Sequence, residues 1–165
     1  MAPTLIPQPK SVKWRDGTFE VPKDGTVGIP AAEWLPAARA LVALFPGCSI
    51  HGNVDGLHNT ITFAYHRKLK PQGYTLSVRQ NSIVIEAEGP EGARHAVSTL
   101  GQVMAQSKGR RVPLVRVRDW PDFAVRGITY DVSRGRVPTT EALVQLGQTL
   151  GAYKMNQVQL YIEHT

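Results

Sequence analysis

Two short stretches of the sequence carry side chains whose types suit the binding of a polyol. The stretch "DVSRGR", residues 131–136, offers a carboxylate, a hydroxyl and two guanidinium groups. The stretch "YIEH", residues 161–164, offers a phenol, a carboxylate and an imidazole. An arginine side chain presents several donors in a fixed fork that matches hydroxyls or carboxylates. Each stretch comes at the end of a run that predicts a β-strand.

The candidate binding residues are Arg134, Glu163 and His164, and their neighbours Asp131, Ser133, Arg136 and Tyr161 belong to the same two stretches. Each has a plain structural alternative. Arg134 and Arg136 can be solvated loop charges. Asp131 is expected to tie the strand to its loop rather than to catalyse. Glu163 and His164 stand at the end of the chain, where residues often fray without a function.

A strand, a helix and a second strand must position these residues. "FAVRGITYDV" and "NQVQLYIEH" predict the strands, and Thr139 or Thr140 can cap the helix between them, with Glu141 in its first turn. Its apolar face is predicted to hold Leu143, Leu146 and Leu150, with Tyr153 extending it. Such a βαβ unit has parallel strands, so both carboxyl ends point the same way. One unit cannot bury both faces of its strands, so we expect a truncated chain.

Residues 1–121 follow a different pattern of strands, helix, strands, helix and strand. This order predicts a mixed-sheet α/β (α+β) domain with two helices. "RDG" at 15–17 predicts a turn between two short strands, and "PGCSIHGNVDGLHN" predicts a loop. Alternating apolar residues predict strands at 61–65, 74–78 and 83–85, the last two as a hairpin. The Trp120-Pro121-Asp122 stretch is a plausible domain boundary.

Composition and charge exclude several classes of protein. The formal net charge is +6 and the pI is near 9.7, but the basic residues are scattered and no aromatic residues interleave with "KGRRVPLVRVR", so nucleic acid is not an expected partner. No apolar run approaches the roughly 18 residues of a membrane span. The amino-terminal residues lack the features of a signal peptide, which leaves the cytoplasm as the default location. The oligomeric state stays open.

No cofactor or metal is predicted. The histidines at 51, 58, 66 and 95 lack metal-ligand spacing, and no HExxH or CxxC motif occurs. His95 is expected on the exposed or boundary side of the second helix. Cys48 is the single cysteine and is expected to be an inert thiol. No Asp-Glu dipeptide occurs in the chain, and no residue is assigned as catalytic.

Four stretches in order resemble the bacterial β-N-acetylhexosaminidases of glycoside hydrolase family 20. "LIPQPKSVKW" resembles the opening of that family, and "GYTLSVRQNSIVIEAEGPEGARHAVSTLGQV" resembles the hairpin and helix of its non-catalytic N-terminal domain. "VRVRDWPDFAVRGITYDVSRG" resembles the junction into its (β/α)8 TIM barrel, and "YKMNQVQLYIEH" resembles the second barrel strand. The resemblance implies an accessory domain over residues 1–121 and the first strand-helix-strand of an incomplete barrel over residues 122–165.

The resemblance also implies a function. In the family, the arginine of the D-V-S-R motif holds hydroxyls of the terminal N-acetylhexosamine, and the matching residue is Arg134. A catalytic Asp-Glu pair on a later strand removes β-linked N-acetylglucosamine or N-acetylgalactosamine by substrate-assisted retention. Because that pair is absent from this sequence, the 165-residue chain is expected to be inactive by itself.

The sequence departs from the family at the second strand. The family usually carries an acidic pair there, whereas this chain has "QLYIEHT", with Glu163, His164 and Thr165 in that place. The departure puts the sugar preference in doubt. Two alternatives stay open: a non-enzymatic module that binds carbohydrate or protein, and a fragment related to the O-GlcNAc hydrolases of family 84.

Overall fold

A computed structural model describes residues 2–52, 60–135 and 137–163. The chain divides into two compact units, Met1–Asp122 and Phe123–Thr165. Arg136 and His164, two of the predicted site residues, lie outside the described residues. Within the described part, no helix is both long and apolar enough to cross a membrane.

The first unit contains a seven-stranded mixed sheet. Its strands are β1 (Ser11–Glu20), β2 (Thr26–Ile29), β3 (Ser49–Gly52), β4 (Ile61–Tyr65), β5 (Tyr74–Val78), β6 (Ile83–Ala87) and β7 (Arg111–Asp119), in the order β1-β7-β5-β6-β4-β2-β3. The pairs along β1-β7-β5-β6 are antiparallel, and those along β6-β4-β2-β3 are parallel. The predicted mixed sheet is confirmed, as is the hairpin of β5 and β6.

Two helices, α1 (Leu35–Leu44) and α2 (Pro90–Ala105), cover one face of this sheet. The first contacts β2 and β3, the second contacts β5, β6 and β7, and the helices contact each other, which places them on the same face. Proline stands in the first turn of each helix, where a missing N–H costs little. The helical spacing of its apolar residues predicts one stripe along α2. This stripe packs into the core through Ala93, Ala96, Val97, Leu100 and Val103, and its last member, Met104, is partly buried against the core.

The alternation of side chains along each strand determines which residues form the core. In β4, β5 and β6, the side chains of Ile61, Leu76, Ile83 and Ile85 are completely buried, because every second residue of a strand points to the helix-covered face. On the other face, Arg116 and Arg118 of β7 are exposed, whereas their neighbours Val115, Val117 and Asp119 are buried. The sheet therefore has one apolar face under the helices and one polar, helix-free face.

Three local predictions in this unit are wrong. "RDG" is not a turn between strands, because β1 runs through it. The register of β1 against β7 shifts between Trp14 and Thr18, and Gly17 has a φ of +103°. These features form a β-bulge, which bends the strand without ending it. The predicted loop after α1 contains β3, which pairs with β2. His95 is 9% exposed, and its Nδ1 lies 3.3 Å from the carbonyl oxygen of Gln72; packing against that backbone draws it inward.

The second unit consists of β8 (Gly127–Asp131), α3 (Thr140–Ala152) and β9 (Gln157–Tyr161), with β8 and β9 parallel, so the predicted βαβ unit is confirmed. Thr139 is the helix cap, since its hydroxyl accepts a hydrogen bond from the backbone N–H of Ala142. The three predicted leucines are half-buried in α3, as is Gly151. Tyr153 does not extend that face: it follows the helix and is 44% exposed.

The residue after Tyr153 ends the helix instead. Lys154 adopts a φ of +64°, and its N–H bonds to the carbonyl oxygen of Gly151 while the N–H of Met155 bonds to that of Leu150. These two bonds form a Schellman motif, which normally has glycine at the left-handed position. The turn draws Lys154 inward, and only 7% of it is exposed.

Candidate functional site

The carboxyl ends of β8 and β9 lie side by side. The two strands pair in register from Gly127 with Gln157 to Asp131 with Tyr161. This close pairing depends on Gly127, because a Cβ atom there would stand 2.3 Å from the carbonyl oxygen of Gln157. The residues that follow each strand therefore start from adjacent points.

Arg126 and Asn156 hold the amino-terminal ends of the same strands. The guanidinium of Arg126 donates hydrogen bonds to the carbonyl oxygens of Lys154 (3.0 Å), Phe123 (2.6 Å) and Ala124 (3.2 Å). Asn156 accepts the N–H of Arg126 through Oδ1 and donates from Nδ2 to the oxygen of Ala124, both at 2.8 Å. The sequence does not predict these hydrogen bonds of Arg126 and Asn156, because an arginine before a strand does not indicate which carbonyl oxygens its side chain will bind.

Asp131 shapes the loop after β8. Its Oδ1 accepts hydrogen bonds from the N–H and the hydroxyl of Ser133, at 2.9 and 2.8 Å, and from the N–H of Arg134 at 3.3 Å. This is an Asx-type turn, and it is completed by Gly135 at a φ of +75°, a conformation that favours glycine. The bonds from Ser133, backbone first, and then the Arg134 guanidinium lower the pKa of Asp131 from 3.8 to about 2. Asp131 is thus the strand-to-loop tie that the sequence predicts, and it stays ionised.

Arg134 is the central side chain of this corner. Its Nε donates to Oδ2 of Asp131 at 2.8 Å and lies 4.0 Å from Oε2 of Glu163. Its guanidinium carbon lies 5.3 Å from the centre of the Tyr161 ring, within the range of a cation–π interaction. Within the described residues, neither Nη atom makes a hydrogen bond, and the side chain is 67% exposed. Asp131 therefore fixes the guanidinium through Nε and leaves the two Nη groups as donors.

Glu163 supplies an acceptor beside this donor. Its Oε1 accepts the hydroxyl of Tyr161 at 2.5 Å, and this bond is the main reason that the pKa of Tyr161 is raised. The phenol therefore stays protonated and holds the carboxylate in place. A guanidinium whose Nη donors no described residue uses, next to a carboxylate, can bind vicinal hydroxyls, since the guanidinium donates to an O–H group and the carboxylate accepts from one.

The structure brings together Arg134 and Glu163 of the predicted binding residues, with Asp131, Ser133 and Tyr161 around them. Predictions about His164 and Arg136 fall outside the described residues. In the part of the chain that the structure describes, no three His, Cys, Asp or Glu side chains are grouped to hold a metal ion.

These features define an α/β protein with a mixed-sheet unit and a parallel βαβ unit whose strand ends form a polyol-type corner. The model of glycosyl hydrolase family 20, domain 2, matches residues 2–120 of the chain. The chain therefore belongs to glycosyl hydrolase family 20, and the resemblance seen in its sequence is confirmed.

The relatives and neighbours agree with this family. The N,N'-diacetylchitobiase of Vibrio harveyi is 26% identical over 163 residues, which cover 96% of this chain and 18% of that protein. A crystal structure of a family 20 exo-β-N-acetylglucosaminidase from Vibrio harveyi, an inactive mutant, has a TM-score of 0.83 and 25% identity and covers 97% of this chain and 25% of its own. The structure of CpGH84D is also similar, with a TM-score of 0.77 at 14% identity over 96% of this chain and 30% of its own.

Two conclusions follow from these identities and coverages. The likeness to CpGH84D shows a shared fold alone, because the identity is 14%. The chain spans only about a fifth to a quarter of the length of the two Vibrio harveyi proteins.

Proposed function

We propose that this chain is the amino-terminal part of a glycosidase that removes terminal β-linked N-acetylhexosamine from glycans. Residues 1–121 form its accessory domain, and residues 122–165 form the first strand-helix-strand of its catalytic barrel. The family match over residues 2–120 supports the first assignment. The parallel pair of β8 and β9 supports the second, because parallel strands with a helical crossover are the repeating unit of such a barrel.

The arrangement of Arg134 is the observation that carries the proposal. Barrel enzymes place their working residues at the carboxyl ends of the strands, and Arg134 follows the end of β8. Asp131 holds its Nε, so the two Nη donors stay available to adjacent hydroxyls of a terminal sugar. In this proposal Arg134, Glu163 and His164 bind the sugar, with Asp131 and Tyr161 as positioning residues.

The proposed roles differ in what they supply. Arg134 donates to sugar hydroxyls and discriminates their positions by the fixed geometry of its fork. Glu163, held by Tyr161, accepts from a hydroxyl. None of these residues transfers a proton to the glycosidic oxygen, and the sequence contains no Asp-Glu dipeptide for that step. Chemistry is therefore assigned to residues beyond these 165.

The intact mass of the protein made by its own host is the first test. We expect a mass far above 18.1 kDa, because the βαβ unit leaves its strands uncovered. A native mass of 18.1 kDa would overturn the glycosidase proposal. The 165-residue chain itself is expected to show no turnover of an aryl N-acetyl-β-glucosaminide, and measurable turnover by it would contradict the assignment of chemistry elsewhere.

Arg134→Ala in the full-length enzyme tests the site. A hydrogen bond to a charged group contributes about 1.5–3 kcal/mol, so kcat/KM should fall by about 10- to 100-fold. Arg111→Ala is the matched control, because the Arg111 side chain makes an exposed ion pair with Glu20 in the first unit. Equal kcat/KM for the Arg134 variant and the unmodified enzyme would remove Arg134 from the site.

A further inference from the structure

The helix-free face of the seven-stranded sheet carries a second polar site. A cleft of about 250 Å³ is lined there by Arg15, Ser77, Arg79, Glu86 and Arg116, together with Val78 and Val115. Ser77 and Arg116 are register partners on β5 and β7, which places them beside each other on this face. All the residues that line the cleft belong to the first unit, and none of them is part of the corner around Arg134.

The charges of this cleft are unbalanced. Three guanidinium groups and one carboxylate line it, and Lys13 stands directly opposite Arg116 on β1. Among the described residues, the guanidinium groups of Arg15, Arg79 and Arg116 make no hydrogen bond or ion pair. Like charges gathered in one cleft repel each other, and an anion bound among them would relieve that repulsion.

Other arginines of the same unit are used differently. Arg110 donates to the carbonyl oxygens of Val21, Pro46 and Pro22, and Arg111 pairs with Glu20. These groups fix the fold locally and leave few donors over. No described residue uses the guanidinium donors of the cleft arginines, and such donors can bind a planar or tetrahedral oxyanion through paired hydrogen bonds.

We propose that this cleft binds the carboxylate or sulfate group of an acidic sugar. Bidentate contacts from the arginines suit either oxyanion, and Ser77 and Glu86 can exchange hydrogen bonds with ring hydroxyls. A water molecule takes up about 30 Å³, so a cleft of about 250 Å³ leaves room for a sugar ring beside the oxyanion. Among the described residues, no aromatic side chain lines the cleft to stack a nucleobase, which disfavours nucleic acid as the source of the anion.

Titration of the 165-residue chain, followed by the amide signals of Ser77, Glu86 and Arg116 in NMR, tests this proposal. D-glucuronate and N-acetylglucosamine 6-sulfate should shift these signals in a saturable way, whereas D-glucose and N-acetylglucosamine should not. Sodium sulfate should bind at least tenfold more weakly than the sulfated sugar. No saturable shift with either acidic sugar would overturn the proposal, and so would sulfate binding as tightly as the sugar.

Two variants with opposite expected signs separate binding from folding. Arg116→Gln should weaken the binding of the acidic sugars about tenfold, because it removes one charge-assisted contact. Glu86→Gln should strengthen it severalfold, because it removes the one repelling carboxylate, and a misfolded variant cannot gain affinity. Arg94→Gln, on the exposed side of α2, is the matched control. Weakening by Arg94→Gln equal to that by Arg116→Gln, or no gain with Glu86→Gln, would contradict the site.

Discussion

Among the parallel strand pairs of the described chain, two are alike in length but opposite in burial. β4 with β6 and β8 with β9 each pair over five residues. The side chains of Ile61, Ile83 and Ile85 in the first pair are completely buried. In the second pair, Val158 and Leu160 are 41% and 42% exposed.

The difference comes from what lies beside each pair. β6 is flanked by β5 and contacted by α2, while β4 is flanked by β2. α3 has no fully buried residue, and β9 has none either. A strand's own sequence makes it apolar, but only neighbouring layers remove it from water. The covered pair supports the fold, whereas the uncovered pair presents the corner of Arg134 and Glu163.

The largest expected effect comes from the covered pair. Ile85→Ala should lower the free energy of unfolding of the first unit by about 2–5 kcal/mol, because it leaves a cavity in a packed core. Urea unfolding followed by tryptophan fluorescence measures this unit alone, since Trp14, Trp34 and Trp120 all belong to it. Val158→Ala is the control in the exposed pair and should leave the midpoint unchanged. Equal effects of the two changes would contradict the difference in burial between the two strand pairs.

Gly127→Ala should abolish the pairing of β8 with β9. The new Cβ would overlap the carbonyl oxygen of Gln157, which lies 2.3 Å away, and backbone atoms cannot move aside as a side chain can. Hydrogen exchange of the amides in residues 127–131 and 157–161 should become much faster. Gly147→Ala in α3 is the matched control, because its Cβ meets nothing within 4 Å. It should raise the free energy of opening the helix by up to about 1 kcal/mol and therefore slow amide exchange there. Protected β9 amides in the Gly127 variant would refute this account.

Thr139→Ala should weaken the first turn of α3 by about 1 kcal/mol, because it removes the acceptor for the Ala142 N–H. Faster exchange of the Ala142 amide is the readout. Thr140→Ala changes the next residue, which is the first of the helix and not its cap, and should have little effect. If both variants behave alike, Thr139 does not cap the helix.

The smallest expected effect is a pH dependence of the Asp131–Arg134 contact. The folded pKa of Asp131 is about 2, below its ordinary value of 3.8. The contact therefore contributes fully to the stability of the folded state above pH 3.8, and this contribution is lost as the pH falls through about 2. An NMR titration of the Arg134 Nε–H signal should show its midpoint near pH 2, and Asp131→Asn should remove the transition. A midpoint at the ordinary value would mean that Asp131 lacks these hydrogen bonds in solution.

Periodicity in the sequence predicts most of the secondary structure correctly. Apolar residues at every second position mark β4, β5 and β6, and the stripe of α2 is buried as expected. The errors occur where local signals compete with distant contacts. "RDG" has the composition of a turn, but pairing with β7 on both sides carries β1 through it as a bulge. His95 is polar by type, yet it packs against the Gln72 backbone, far away in the sequence.

The candidate site shows the same division. From the residues alone, Asp131 is expected to tie the strand to its loop, and its contacts agree. The sugar-binding role of Arg134 is what the family resemblance implies, and it stays a prediction. The sequence does not indicate that Lys154 takes the left-handed position at the end of α3 or that Arg126 donates to three carbonyls. The bond from Arg126 to the carbonyl oxygen of Lys154 depends on where the chain returns 28 residues later.

The sequence by itself determines the family, the strand and helix types and the residue types of the polar corner, because these depend on local pattern and motif. The tertiary structure decides the strand order, the burial of each face, the 4.0 Å approach of Glu163 to Arg134 and the gathering of Arg15, Arg79 and Arg116 around one cleft. The physical reason is that register and layer packing join residues far apart in the chain. Local preferences are too weak to specify such contacts.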